Sequence, residues 1–218
     1  MDNKYLTIFV VCVAVLAVAI AGCTSSGSTT PADSGVGEKE VYAVGIDVPY
    51  PPFSYVTPGN EYTGFDVDSI KWIAENQGFE VKFETVAWDG IIPALQAGQI
   101  DMVYSGMTIT DERKEKVAFS DPYWTVNQMV VAQPGSGVTI DDIKNGTAVV
   151  GTQSGCTAAI WMEENLVDTG IMPKENIRVY ASTPLAVDDL VNGRIDAAMY
   201  DDLSMKDIIE GRDVENIG

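Results

Sequence analysis

The heptad Leu95-Gln-Ala-Gly-Gln-Ile-Asp101 comes back 95 positions later as Leu190-Val-Asn-Gly-Arg-Ile-Asp196. Each copy reads as a helix end, a glycine that closes it, and the start of a buried strand. Around both copies the hydrophobic pattern alternates between helical and strand periods. Positions 41–46 are β-rich, and 66–77 carry apolar residues at 67, 70, 73 and 74 with Gly78 behind them; 79–86 alternates, 91–97 is a short helix stopped by Gly98, and 100–104 is a strand. After Gln133-Pro134-Gly135-Ser136-Gly137 the alternation restarts, with strands at 147–150, 177–180 and 195–200 and helices at 158–165 and 185–191. The echo is either a duplication or a common helix-to-strand connection. Both readings give two similar α/β lobes, each a largely parallel sheet covered by helices.

Ahead of the lobes lies a different composition. Met1-Asp2-Asn3-Lys4 followed by the apolar run at 8–21 reads as a signal peptide over residues 1–22, short for a bilayer span and ending in small residues. Ile20-Ala21-Gly22-Cys23 resembles a lipobox, which would make Cys23 the lipidated first residue of the mature chain; an uncleaved anchor is the alternative. Residues 23–39 are then expected to be a flexible, lipid-anchored tether, since Ser, Thr, Gly, Pro and Ala dominate them and offer nothing to bury. Cys156 is the one cysteine left for the mature domain, so an internal disulfide is excluded.

Charge narrows the partners. The net charge is −19 with 13 Lys and Arg in all, which excludes nucleic acid and other polyanions. The chain has no histidine, hence no Ser-His or Cys-His nucleophile and no His metal ligand; neither a metal nor a cofactor is expected.

Residues 105–113, Ser-Gly-Met-Thr-Ile-Thr-Asp-Glu-Arg, set a lone arginine just past the strand at 100–104, beside Gly106 and Thr108. Open α/β sheets place ligands at such C-terminal strand ends. Gly106 allows close backbone approach, and Thr108 and Arg113 supply donors for a small carboxylate. The bland reading is a surface charge patch, because Asp111, Glu112, Lys114, Glu115 and Lys116 surround the arginine.

The run 105–123, ending Val117-Ala118-Phe119-Ser120-Asp121-Pro122-Tyr123, resembles the family 3 extracellular solute-binding proteins, the polar amino-acid receptors of ABC importers. Gly64-Phe65-Asp66-Val67-Asp68 and Trp88-Asp89-Gly90-Ile91-Ile92-Pro93-Ala94-Leu95 resemble the same family, and the similarity spans roughly residues 41–201. It implies a two-lobed periplasmic-binding-protein-like fold of type II, with lobe 1 at 40–130 and lobe 2 at 131–218. Members normally continue with a strand and helices that return to lobe 1, so the second lobe and that return are expected to be incomplete, leaving an apolar face on lobe 1.

The resemblance also implies a ligand site. Arg113 and Thr108 would hold the carboxylate with Thr157, because Gln153-Ser154-Gly155-Cys156-Thr157 resembles the family's Gly-Thr-Thr turn at a helix start; Cys156 departs from that pattern. Asp201 matches the amino-binding aspartate, with the Gly106 carbonyl as a second acceptor and Asp202 as an adjacent rival or helix cap. Tyr50 and Trp88 match the aromatic sandwich around the ligand side chain, although Trp88 taken alone reads as a core residue. Asp47 beside them, with Gln153, favours an amide or basic side chain.

The expected protein is therefore a monomeric lipoprotein held at the outer face of the membrane, passing a polar amino acid to ABC permease subunits and catalysing nothing. A dehydratase-like enzyme on the same fold and the ligand-sensing domain of a membrane receptor are the alternatives.

Overall fold

Strand β1 (Val41–Ile46) is the centre of the first sheet in the computed structural model, which describes residues 39–218. The expected signal peptide, Cys23 and all but the last residue of the tether lie outside the described residues. A small hairpin of β2 (Tyr55–Val56) and β3 (Tyr62–Thr63) leads into helix α1 (Phe65–Gln77). Its apolar positions Val67, Ile70 and Ala74 are buried, and Gly78 closes it in the left-handed region, as the spacing predicts. Strands β4 (Glu80–Thr85) and β5 (Met102–Val103), separated by α2 (Ile91–Gln96), flank β1 in parallel, and α3 (Asp111–Lys114) follows. Strand β5 is shorter than the expected 100–104 because only Met102 and Val103 pair with β1, at the sheet's edge.

The second sheet holds β6 (Gln128–Ala132), β7 (Val150–Gln153), β8 (Ile177–Tyr180), β9 (Ala197–Asp201) and β10 (Glu215–Asn216) in the order β10-β6-β9-β7-β8. Helices α4 (Ile140–Lys144), α5 (Thr157–Met162), α6 (Thr183–Val191) and α7 (Asp202–Ile208) accompany it. Strands β7, β8 and β9 are parallel, and β6 runs against β9. The boundary expected between 130 and 131 thus falls inside β6, which pairs along its whole length in the second sheet. The strand expected at 147–150 lies three residues later, at Val150–Gln153. Thr147 and Ala148 donate their backbone N–H groups to the Asp142 carbonyl and so still belong to the turn that ends α4.

The sequence echo has a structural meaning. Gly98 and Gly193 take φ of 68° and 67°, and the aspartate three residues on does the same work in both lobes. Asp101 Oδ2 accepts from the Ala43 N–H at 2.8 Å, and Asp196 Oδ2 accepts from the Val149 N–H at 2.7 Å. The N–H of each aspartate donates back to the carbonyl of the same residue, Ala43 or Val149. Each heptad therefore ends in a two-way clasp onto the strand that precedes it in the sheet, which fixes β1 and β7 at equivalent positions in the two lobes.

An apolar hollow of about 740 Å³ opens on the first lobe, with Ile70, Ile73, Phe79, Leu95, Met102 and Val126 in its wall. The buried cluster of the second lobe is larger and includes Met162, Val187, Leu190 and Met205.

Asp66, in the first turn of α1, has no exposed surface. The Tyr123 hydroxyl donates to its Oδ1 at 3.0 Å and accepts from the Gly106 N–H at 3.1 Å, so α1, the 117–126 segment and the turn after β5 are joined through one carboxylate. Among the described residues its Oδ2 finds no hydrogen-bond partner. Burial pushes the Asp66 carboxyl up to about 6 against the pull of the Tyr123 bond. An acid whose folded pKa is raised holds a proton that the unfolded chain releases, so its contribution to stability falls as pH rises from about 4 to about 6. Asp66→Asn removes that titration. The stability of this variant relative to wild type is expected to improve by about 2 to 3 kcal/mol between pH 4 and pH 7, measured by denaturant melts at both pH values; a difference independent of pH would contradict it.

Candidate functional site

The C-terminal ends of β1, β5, β7 and β9 face one another across the space between the two sheets. Asp47 follows β1 directly and is 6% exposed. Its backbone is tied at both ends, the N–H donating to Ser105 Oγ at 3.0 Å and the carbonyl accepting from Ser54 Oγ at 2.8 Å. The side chain is thereby left free to cross to the second lobe, where Gln153 Nε2 donates to its Oδ2 at 2.6 Å. Burial pushes Asp47 up to about 6; the Gln153 bond opposes this and the nearby Asp89 charge adds to it.

Arg113 is 5% exposed, so the surface-patch reading fails. Helix α3 begins at Thr110, whose hydroxyl caps the Arg113 N–H, and that cap turns the guanidinium inward while Asp111, Glu112 and Lys114 stay outside. Nη1 donates to the Thr108 carbonyl at 2.8 Å and Nη2 to the Gly155 carbonyl of the second lobe at 3.0 Å. Trp88 Nε1 donates to the same Gly155 carbonyl at 3.0 Å, and the guanidinium lies 5.4 Å from the Trp88 ring centroid. Trp88 is therefore a wall of the cleft as well as a neighbour of the core.

Asp201 ends β9 and occupies the cap position of α7, yet its side chain makes no capping bond. It accepts from Tyr50 Oη at 2.8 Å across the cleft and from Gln128 Nε2. Burial raises its carboxyl, partly offset by those two bonds. Asp202 is the local cap instead, accepting from the Leu203 N–H at 2.8 Å. Thr157 starts α5 and accepts from Gln128 Nε2 at 3.3 Å. The Cys156 thiol, where the threonine pattern breaks, is buried against Thr152 Oγ1 at 3.1 Å and points away from solvent.

Asp47, Tyr50, Trp88, Gly106, Thr108, Arg113, Thr157 and Asp201 line a single cavity, and Gln153 touches it through Asp47. Ser105, Cys156 and Tyr200 complete the lining. The open space is about 10 Å³, roughly one water's worth, because the facing side chains bond to each other directly. Any larger guest requires the lobes to part and close again. Tyr200 and Gln128 were not singled out from the sequence: both sit in strands whose apolar neighbours give them the look of core. The clue at 200 is its place next to the strand-end aspartate; nothing in the sequence marks Gln128.

These features define a two-lobed binding protein with a charged cleft at its strand ends. The profile of the bacterial extracellular solute-binding proteins, family 3, matches residues 42–202, and the chain belongs to that family. It is 32% identical to the arginine-binding extracellular protein ArtP of Bacillus subtilis over 212 residues, 97% of this chain and 78% of that protein. It is 34% identical to the L-cystine-binding protein TcyJ of Escherichia coli K12, covering 90% and 73% of the two chains. The solved structure of an ancestral arginine-binding protein bound to arginine superposes with a TM-score of 0.74 at 34% identity, over 83% of this chain and 79% of that one.

Gly106 earns its place through packing. Its φ is +57°, and a Cβ there would stand 2.6 Å from Tyr50 Cε1. Gly106→Ala is expected to lose about 2 to 4 kcal/mol in a denaturant melt, from the left-handed backbone and from displacing the ring that reaches Asp201. In a Tyr50→Ala background the loss should shrink to about 1 kcal/mol, the cost of the left-handed backbone alone. An equal penalty in both backgrounds would remove Tyr50 as the cause.

Proposed function

We propose that this chain is the capture component of an ABC importer, taking a polar L-amino acid with an amide or basic side chain outside the cell and handing it to a membrane permease. One observation carries the reading: a buried guanidinium, Arg113, and a buried carboxylate, Asp201, line the same small cavity, together with the aromatic rings of Tyr50 and Trp88 and a second carboxylate, Asp47. A zwitterion needs both signs within one residue's length. In this reading Arg113, Thr108 and the start of α5 at Thr157 take the α-carboxylate, and Asp201 with the Gly106 carbonyl takes the ammonium. Tyr50 and Trp88 sandwich the side chain, whose end meets Asp47 and Gln153. Family membership and the ligands for which the relatives are named, arginine and cystine, support the class.

The same reading makes the protein a monomeric lipoprotein anchored at Cys23, with its lobes joined ahead of β6. It catalyses nothing: each polar group in the cleft has a role in holding a charge. About four charge-assisted bonds at roughly 1.5 to 3 kcal/mol each, less the ordering of ligand and hinge, reach the roughly 8 kcal/mol of micromolar binding.

Titration calorimetry against the twenty amino acids tests the class, and Arg113→Ala tests the clamp. The variant is expected to lose at least a hundredfold in affinity for every amino acid that wild type binds, since a buried charge pair loses one partner. Retained affinity would take Arg113 out of the site.

The Asp47 carboxyl supplies a pH signature. It is faced by Gln153 from β7, Tyr200 from β9 and Asp89 from the turn before α2. With its pKa at about 6, it changes from mostly neutral to mostly ionised between pH 5 and pH 7. A cationic side chain is then bound more tightly as pH rises, by up to about tenfold, and Asp47→Asn flattens that slope. Arginine affinity that is already flat across this range in wild type would contradict contact with Asp47.

A further inference from the structure

The amide of Gln153 can face either way in principle, and its surroundings admit only one. Nε2 has two acceptors in reach, Asp47 Oδ2 at 2.6 Å and the Ala181 carbonyl at 3.3 Å, while Oε1 receives the Tyr200 hydroxyl at 2.6 Å. A flipped amide would set its oxygen against a carboxylate and a carbonyl and leave the Tyr200 proton facing an NH₂ group. Gln153 is 2% exposed and Tyr200 5%, so solvent cannot repair such a mismatch. Tyr200 is itself held, its ring edge against Tyr50 at 5.9 Å and 82°. Gln153 ends β7 and Tyr200 lies in the adjoining β9, so their bond belongs to one sheet and persists whether the lobes are apart or together.

Resting on the amino-acid reading above, we propose that Tyr200 is a positioning residue for side-chain selectivity: Asp47 and Ala181 hold the Gln153 NH₂, and the Tyr200 hydroxyl claims the Gln153 oxygen, which is thereby withheld from the ligand. One Asp47 oxygen and the Gln153 oxygen are then both occupied. The acceptors open to a ligand's head group are those left on Asp47. That suits a small amide better than a guanidinium, which spreads five donors and gains from each further acceptor. Removing the Tyr200 hydroxyl leaves the amide held by Asp47 and Ala181 but frees Oε1 as an acceptor beside the cavity, and so relaxes the discrimination against guanidinium.

The test is a double-mutant cycle on the full chain at pH 8, well above the Asp47 value of about 6. Wild type, Tyr200→Phe, Gln153→Leu and the double variant are titrated calorimetrically with arginine and with glutamine. Tyr200→Phe is expected to move the arginine-to-glutamine affinity ratio about tenfold toward arginine, the effect of one charge-assisted bond. The same change in the Gln153→Leu background is expected to leave the ratio unmoved. Equal losses for both ligands, or an undiminished shift without Gln153, would overturn the proposal. A wild type that binds neither amino acid, or any other, would overturn the pocket's reading itself, an outcome distinct from binding with an unmoved ratio. Should Tyr200→Phe not fold, NMR of wild type and Gln153→Leu decides: a Tyr200 hydroxyl proton held by the Gln153 oxygen is resolved and slow to exchange in wild type and lost in Gln153→Leu, and one that exchanges fast in wild type would overturn the proposal.

Discussion

Three charges stripped of water between two sheets set the terms for the rest of the molecule. Asp47, Arg113 and Asp201 are each less than a tenth exposed, and no folded chain keeps such groups without partners for them. The partners here come from the opposite lobe: Gln153 for Asp47, the Gly155 carbonyl for Arg113, Tyr50 for Asp201. The lobes are thus joined by the groups that the proposed ligand would use. In the proposed reading, a guest that brings its own carboxylate and ammonium takes over the contacts at Arg113 and Asp201, so at those two charges binding exchanges partners rather than creating new burial.

That arrangement depends on backbone features far less conspicuous than the charges. Asp101 and Asp196 clasp the strands beside them in the same way in both sheets, which places the C-terminal ends of β1 and β7 opposite each other. Asp66 secures the turn after β5 through Tyr123, and Gly106 in that turn makes room for the Tyr50 ring. Tyr50 in turn reaches Asp201. The chain of dependence runs from a buried helix residue, through a glycine without a Cβ, to a contact between lobes.

Much of this was legible in the sequence because it rests on local rules. Helix α1 and its glycine cap, strand β8 and the alternation of elements follow from hydrophobic period and turn chemistry, and Arg113 and Asp201 stand out as charges at strand ends. The errors came where a longer-range bond overrides the pattern. Residues 147 and 148 look like strand, but the turn from α4 takes their amides, and that of Val149 goes to Asp196; β6 looks like the close of lobe 1, but its hydrogen bonds go to β9. Gln153 reads as a free donor and acceptor until Tyr200, 47 positions away, claims its oxygen. Trp88 is ambiguous from sequence because it does both things: it packs against the core and closes the cleft.

Neighbouring positions on β9 then divide the work. Asp201 ends the strand and carries the charge that, in the proposed reading, any amino acid requires, whereas Tyr200 acts on the far wall through Gln153 and bears on the side chain alone. A strand normally sends adjacent side chains to opposite faces. Both reach the cavity here because Asp201 is the strand's last residue, at φ −56° and ψ 131°, where the chain turns into α7. In the proposed reading, general affinity and side-chain preference thus rest on different residues, and a substitution at 200 changes which amino acid is preferred while the clamp on the zwitterion stays in place.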